Sequence, residues 1–143
     1  MIAIFYAILA GSVVATQNVF STQISHKIGM WETTVIVHLF GLIFALIISF
    51  FFGKGSYKNI SDINKLYLLA GPLGVIIIFS VTMGVSKLGA TFAIAIMVIS
   101  QLSFATVIDS FGLFGMDKIP LNLTKLIGLV VMIIGLMIFQ LRA

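Results

Sequence analysis

Long apolar runs, interrupted by short polar stretches, follow one another along the whole chain. Only twelve of the 143 residues carry a formal charge, eight of them Lys or Arg and four Asp or Glu. Glu32 and Lys54 bracket 21 uncharged residues, as do Lys65 and Lys87, and again Lys87 and Asp109. A helix needs about 20 apolar residues to cross the hydrocarbon core of a bilayer. The spacing of the charges therefore predicts membrane-spanning helices.

Five such helices are predicted, within a single transmembrane domain that occupies residues 1–143. Their expected bounds are about 3–23, 33–52, 66–86, 90–110 and 124–141, with connections at about 24–32, 53–65, 87–89 and 111–123. The runs do not alternate between polar and apolar residues as barrel strands do, so the predicted fold class is an all-α integral membrane protein. Since proline removes a backbone hydrogen bond, we also expect Pro72 to kink the third helix. An ordinary proline near a helix start is the alternative.

Composition excludes most other classes of protein. Apolar residues make up 61% of the chain and charged residues 8%, with a mean hydropathy of +1.26. Soluble domains have about 45–50% apolar and about 25% charged residues, and disordered chains are less hydrophobic still. Cysteine is absent, and so are the phosphate-binding loop, the HExxH pair and the GxSxG elbow. We therefore predict no enzyme, no cofactor, no metal site and no nucleic-acid partner, and attribute the net charge of +4 to lysines that flank the spans.

Polar side chains inside the predicted spans are the candidates for a substrate or ion pathway, because they must face protein or water rather than lipid. They are Gln17 and Asn18 in the first helix, His38 in the second and Gln101 near the middle of the fourth. Hydrogen bonding between helices is the alternative role for the amides. For His38, a neutral ring bonded to a backbone carbonyl is the alternative to a group that titrates.

Two carboxylates and two glycines complete the set of candidate residues. Glu32 and Asp109 lie at opposite helix ends, where they are either proton carriers or carboxylates solvated at the interface. Gly128 and Gly135 are seven residues apart and hence on one face of the fifth helix. That face fits a dimer contact, with packing inside one chain as the alternative.

The basic residues divide almost evenly between the two predicted membrane faces. Five lie on one face and three on the other: Lys54, Lys58, Lys65, Lys118 and Lys125 against Lys27, Lys87 and Arg142. This bias is weak under the positive-inside rule. The sequence therefore permits insertion in both orientations, that is, dual topology.

Three segments resemble the YdcZ-type inner-membrane exporters of the drug/metabolite transporter superfamily. They are Ala15-Thr16-Gln17, the run KIGMWETTVIVHLFG and the run QLSFATVIDSFGLFGMDKIPL. The resemblance implies a five-helix half-transporter of the bacterial inner (cytoplasmic) membrane, which pairs with a sister chain or with an oppositely inserted copy. The GLVVMIIGL phrase is similar to the dimerisation helix of small multidrug resistance proteins. The membrane-embedded Glu of those proteins is missing, since the first helix carries Gln17 and Asn18 instead.

Pattern and resemblance together predict a secondary transporter that exports small metabolites or toxic compounds by alternating access in an antiparallel dimer. Its expected partners are membrane lipid, a second five-helix chain and a small-molecule substrate. Two alternatives stay open, a flippase for lipids or lipid-linked sugars and a non-transporting subunit of another membrane protein.

Overall fold

The structure, a computed structural model, describes residues 2–141, and these residues form helices and connecting turns without any strand. The five long helices are α1 (Ile2–Ile28), α2 (Met30–Phe52), α3 (Ala70–Leu88), α4 (Ala90–Phe111) and α5 (Leu123–Gln140). Within the described range, each is long and apolar enough to cross a membrane, α3 together with the 3-10 turn Lys65–Leu69 before it. The predicted fold class is confirmed. Arg142, which was counted in the charge balance, lies outside the described residues.

The connection predicted at 24–32 is wrong, because α1 continues to Ile28 and Gly29 alone separates it from α2. Gly29 has φ 100° and ψ 161°, a conformation that essentially only glycine adopts. The polar residues before it do not end α1. Their hydroxyls donate to the helix's own carbonyls, as Thr22 does to Asn18 (2.8 Å) and Ser25 to Thr22 (2.8 Å). The hydroxyls of Thr22 and Ser25 are thus satisfied inside the helix.

Pro72 is the third residue of α3 and lies in its first turn. The N–H groups of a first turn have no partner within the helix, so proline removes no hydrogen bond there. The change from 3-10 to α geometry falls at Ala70, two residues before the proline. Pro72 thus lies close to the start of α3, where proline is tolerated, and the kink expected there stays a prediction.

The chain divides into two compact units, one that ends at Lys87 and one that begins at Leu88. In the first unit, α1 packs along α2, and Trp31 at the start of α2 stacks on Phe79 of α3 with ring centroids 4.2 Å apart. In the second unit, α4 packs along α5. Hairpin-like packing of neighbouring helices is what short connections favour.

Among the described residues, the buried side chains all belong to the first unit, and most of them are polar. They are Asn18, Ser21, Thr22, Ser25, Thr33, Thr34, Thr82 and Val85. Neither α4 nor α5 contains a buried residue. A soluble protein buries its apolar side chains, whereas here these side chains cover the outside of the helices, where lipid would contact them.

The loop after α4 is ordered by its own backbone. Gly112 ends the helix in the left-handed conformation (φ 65°), a common helix ending. The N–H of Ile119 then donates to the carbonyl of Asp109 (2.8 Å), which folds the loop back on the helix end. Asn122 begins α5, since its side chain accepts a hydrogen bond from the N–H of Lys125 (2.8 Å).

Candidate functional site

A groove of about 610 Å³ runs between α1 and α2 and is open along one side. Four residues of α1 form what we call the polar wall, namely Ser12, Thr16, Gln17 and Ser21, although polar atoms make up only a small part of the groove's exposed surface. The remaining lining residues are apolar: Val13, Phe20, Ile24, Ile36, Val37 and Phe40. Small-molecule sites typically have about 300–1,000 Å³ and combine apolar walls with a few polar groups. The groove has both properties.

Gln17, a predicted pathway residue, supplies the polar wall with its only amide. The hydroxyls of Ser12 and Thr16 donate to the carbonyls of Ile8 and Ser12, both at 3.0 Å. Their oxygens therefore keep only lone pairs for the groove. Gln17 is exposed and has no hydrogen-bond partner among residues 2–141. Its amide therefore has two N–H donors and a carbonyl acceptor that are available to a ligand.

Asn18 is buried, with 4% of its surface exposed, and its Nδ2 has no hydrogen-bond partner in the described part of the chain. It begins the buried face of α1 that continues through Ser21, Thr22 and Ser25. A buried amide N–H without a partner costs roughly 1–3 kcal/mol. Buried groups of this kind are found where a ligand or an ordered water completes the hydrogen bonding.

The first turn of α2 extends this polar region across Gly29. Thr33 and Thr34 are both buried, and their hydroxyls donate to the carbonyls of Gly29 (2.6 Å) and Met30 (2.9 Å). The spacing of Ser and Thr on either side of Gly29 was visible in the sequence. Only packing distinguishes these residues from exposed hydroxyls such as Thr16, which make the same bond to their own helix.

His38 lies where α2 meets α3, and its Nδ1 is 2.8 Å from the carbonyl oxygen of Thr34. A carbonyl only accepts, so Nδ1 of His38 carries a proton and donates it to this hydrogen bond. Nε2 faces Gly74 of α3, where a Cβ would come within 3.3 Å. His38 has the hydrogen bond to a backbone carbonyl that the sequence offered as one alternative, and it leaves one ring nitrogen toward α3.

Glu32 is exposed in the first turn of α2, and its carboxylate folds back over Gly29 so closely that a Cβ there would overlap it. A negative charge in the first turn of a helix interacts favourably with the helix dipole. The charge of Glu32 therefore stabilises the start of α2 electrostatically, without a side-chain hydrogen bond to the helix end, and the proton-carrier role stays a prediction.

The other candidates lie in the second unit. Gln101 is exposed on α4 and has no partner among the described residues, while Asp109 is half-buried at the end of α4. Gly128 and Gly135 have open space where a Cβ would point, and Gly135 lines a shallow apolar groove between α4 and α5. The first unit thus contains Gln17, Asn18, His38 and Glu32, and the second the remaining four candidates. Within residues 2–141 no three His, Asp or Glu side chains come together as metal ligands.

Comparison with known families gives one match. A family model described as "Putative inner membrane exporter, YdcZ" matches residues 2–138. A search among curated proteins and a search among solved structures found no match. The match reaches from the start of α1 into the last turn of α5, so it includes both units and every candidate residue.

Proposed function

Because the chain belongs to the YdcZ family of inner-membrane exporters and is a multi-pass membrane transporter, we propose that it is a secondary transporter working as a dimer. Its cargo is a small metabolite or toxic compound, exported by alternating access. In this proposal residues 1–143 act as one transmembrane domain, and two copies, or a copy and a sister chain, enclose the site.

The observation that carries the proposal is the position of Gln101. It lies near the middle of the 22-residue helix α4, exposed and without a partner in the described chain. An amide that faces hydrocarbon without a hydrogen bond costs several kcal/mol, on the order of 4–8 in the least polar reference solvent. This cost favours a cover of protein or water over this face of α4, and in the proposed dimer the second chain provides that cover.

The pathway in this proposal consists of Gln17, Asn18 and His38 of the first unit together with Gln101. Glu32 and Asp109 carry protons at the two mouths. In an antiparallel pair, each membrane face presents the Glu32 end of one chain and the Asp109 end of the other. The two mouths are then equivalent, which is what alternating access by exchange of two conformations requires.

Transport is tested in proteoliposomes with imposed pH and potential gradients, screened against labelled metabolites and antibiotics. We expect gradient-driven flux of at least one compound, and a loss of that flux in Gln101→Leu. Gln23→Leu is the matched control, since Gln23 is an exposed glutamine near the end of α1. If Gln101→Leu changes assembly but leaves flux intact, Gln101 is structural. If no compound moves under any gradient, the chain is a non-transporting subunit.

Orientation is tested separately by thiol labelling, for which the absence of cysteine removes all background. Single cysteines at His26 and Asn59, both exposed, lie at opposite ends of the first two helices. With a membrane-impermeant reagent on intact cells, dual topology predicts partial labelling at both sites. Full labelling at one site and none at the other, without a sister chain in the cell, contradicts the antiparallel homodimer.

A flippase for lipids or lipid-linked sugars is the second candidate function. It is favoured by the largely apolar groove between α1 and α2, which is open along one side. A lipid could enter such a groove from the bilayer. Translocation of a labelled lipid in proteoliposomes without any soluble cargo would support this candidate over export.

A further inference from the structure

We infer that the groove between α1 and α2 binds an uncharged amphipathic solute, whose polar group is held by the amide of Gln17. This inference rests on the proposed transport function and specifies the chemical class of the substrate. It starts from the lining of the groove, which contains polar and apolar residues but no charged side chain among the described residues.

The surroundings of the groove disfavour a charged ligand. A charged ligand taken from water into an apolar site loses several kcal/mol of hydration unless a counter-charge is present. The charges nearest in sequence, Lys27 and Glu32, flank Gly29, and neither of them lines the groove. The carboxylate of Glu32 is already folded over Gly29. A cation or an anion would therefore enter the groove without a counter-charge.

The hydrogen-bonding pattern fixes the polar group of the solute. Ser12 and Thr16 have committed their protons to α1 and offer lone pairs, so they need a donor. Gln17 offers two N–H donors and a carbonyl. A hydroxyl or a primary amide satisfies both requirements, whereas an ether or an alkane does not.

The apolar lining fixes the rest of the molecule. Phe20 and Ile24 of α1 and Phe40 of α2 line the same groove. Burial of apolar surface contributes about 25 cal/mol per Å², so an aromatic or branched hydrocarbon body is favoured. The occupant expected is therefore a small molecule with an apolar body and one uncharged hydroxyl or amide group.

The test uses three probes that share one body and differ in charge: phenylbutanol, phenylbutylammonium and phenylbutyrate. Binding is measured on the full chain in lipid nanodiscs, with empty nanodiscs as the background. We expect phenylbutanol to bind at least about tenfold more tightly than either charged analogue. Gln17→Leu should weaken phenylbutanol binding about fivefold, the effect of one lost hydrogen bond. Gln23→Leu, the same substitution outside the groove, should leave binding unchanged.

Gln17→Glu keeps the length of the side chain and is the second variant. In mildly alkaline buffer it should reverse the preference, so that phenylbutylammonium binds more tightly than phenylbutanol. Equal binding of all three probes, or binding insensitive to Gln17→Leu and Gln17→Glu, overturns the inference. Such a result is expected if a lipid tail or a helix of a second copy fills the groove.

Failure of the inference and failure of the proposed function are distinguishable with the same probes. Selective binding of phenylbutanol without gradient-driven flux in proteoliposomes retains the site but contradicts transport. Flux of a charged compound that does not depend on Gln17 retains transport but contradicts the site assigned here.

Discussion

The two units of the molecule differ in how deeply they bury their polar side chains. In the first unit Thr22, Ser25, Thr33 and Thr34 are buried, and their hydroxyls donate to carbonyls of their own helices. The second unit buries no side chain of α4 or α5 and leaves the amide of Gln101 exposed near mid-helix. A hydroxyl can bond within its own helix, whereas a glutamine amide reaches beyond it. Both units nevertheless leave amides without a partner in the described chain, Gln17 and Asn18 in the first and Gln101 in the second.

The two one-residue turns between long helices differ in their side-chain contacts. Gly29 links α1 to α2 and Gly89 links α3 to α4, with φ/ψ of 100°/161° and 79°/158°. Both conformations are essentially confined to glycine. Only Gly29 has a close neighbour, the carboxylate of Glu32, while a Cβ at Gly89 would meet nothing. The turn at Gly29 thus has a side-chain contact with Glu32, whereas the similar turn at Gly89 has no such contact.

The largest expected effect follows from this difference. Gly29→Ala should lower the free energy of unfolding by about 2–4 kcal/mol, since it combines backbone strain of about 1–3 kcal/mol with displacement of Glu32. Gly89→Ala should lower it by the strain alone. Unfolding in mixed micelles, followed by circular dichroism, measures both. Adding Glu32→Ala to Gly29→Ala should remove the excess. An equal loss in the two single variants would show that the contact with Glu32 contributes nothing.

A smaller effect of opposite sign is expected at Asn18. Asn18→Leu keeps the branching of the side chain and removes a buried donor without a partner, so it should raise the free energy of unfolding by about 1–3 kcal/mol. It should at the same time reduce transport. Gln101→Leu should leave the unfolding of the single chain unchanged, because the amide is exposed there. Destabilisation by Asn18→Leu in the same micelle assay would mean that the amide has a partner inside the chain.

The glycine face of α5 tests whether the second unit pairs. Replacing both Gly128 and Gly135 by Leu should weaken association by about 1–2 kcal/mol, roughly five- to thirtyfold, since bulky side chains keep helices apart. Sedimentation equilibrium in detergent measures the shift toward monomer. Val130→Leu, an exposed position on the opposite side of the same helix, is the control. Unchanged association in the double variant would assign the face to packing with α4, for which Gly135 is placed.

The smallest effect concerns the contact between α2 and α3. Phe79→Leu removes the ring stacked on Trp31 and should cost about 0.5–1.5 kcal/mol beyond the lost area. Trp31 is the only tryptophan of the chain, so its emission reports the loss directly. Phe44→Leu changes an exposed phenylalanine of α2 outside any stacked pair and should leave the emission unchanged. A similar shift in both variants would contradict a specific role for the stack.

The helices were predictable where hydropathy alone decides, and less so at their ends. The starts of α4 and α5 and the end of α2 lie within one residue of the prediction. The end of α1 was placed five residues too early, because Ser25 and His26 were taken as connection. The polarity of these residues indicates a loop only if their polar groups need water as a hydrogen-bond partner. Bonds such as that of Ser25 to Thr22 remove the need.

The sequence by itself determined the class of the protein, the number of spans and the family. These follow from run length against bilayer thickness and from local residue patterns, which are readable without knowing any contact. Tertiary structure alone decided which polar residues are buried, which ring nitrogen of His38 faces α3 and which wall of the α1–α2 groove Gln17 occupies. Each depends on how a helix is rotated against its neighbour. For weakly amphipathic, uniformly apolar helices, that rotation is set by packing between helices and not by any one-dimensional pattern.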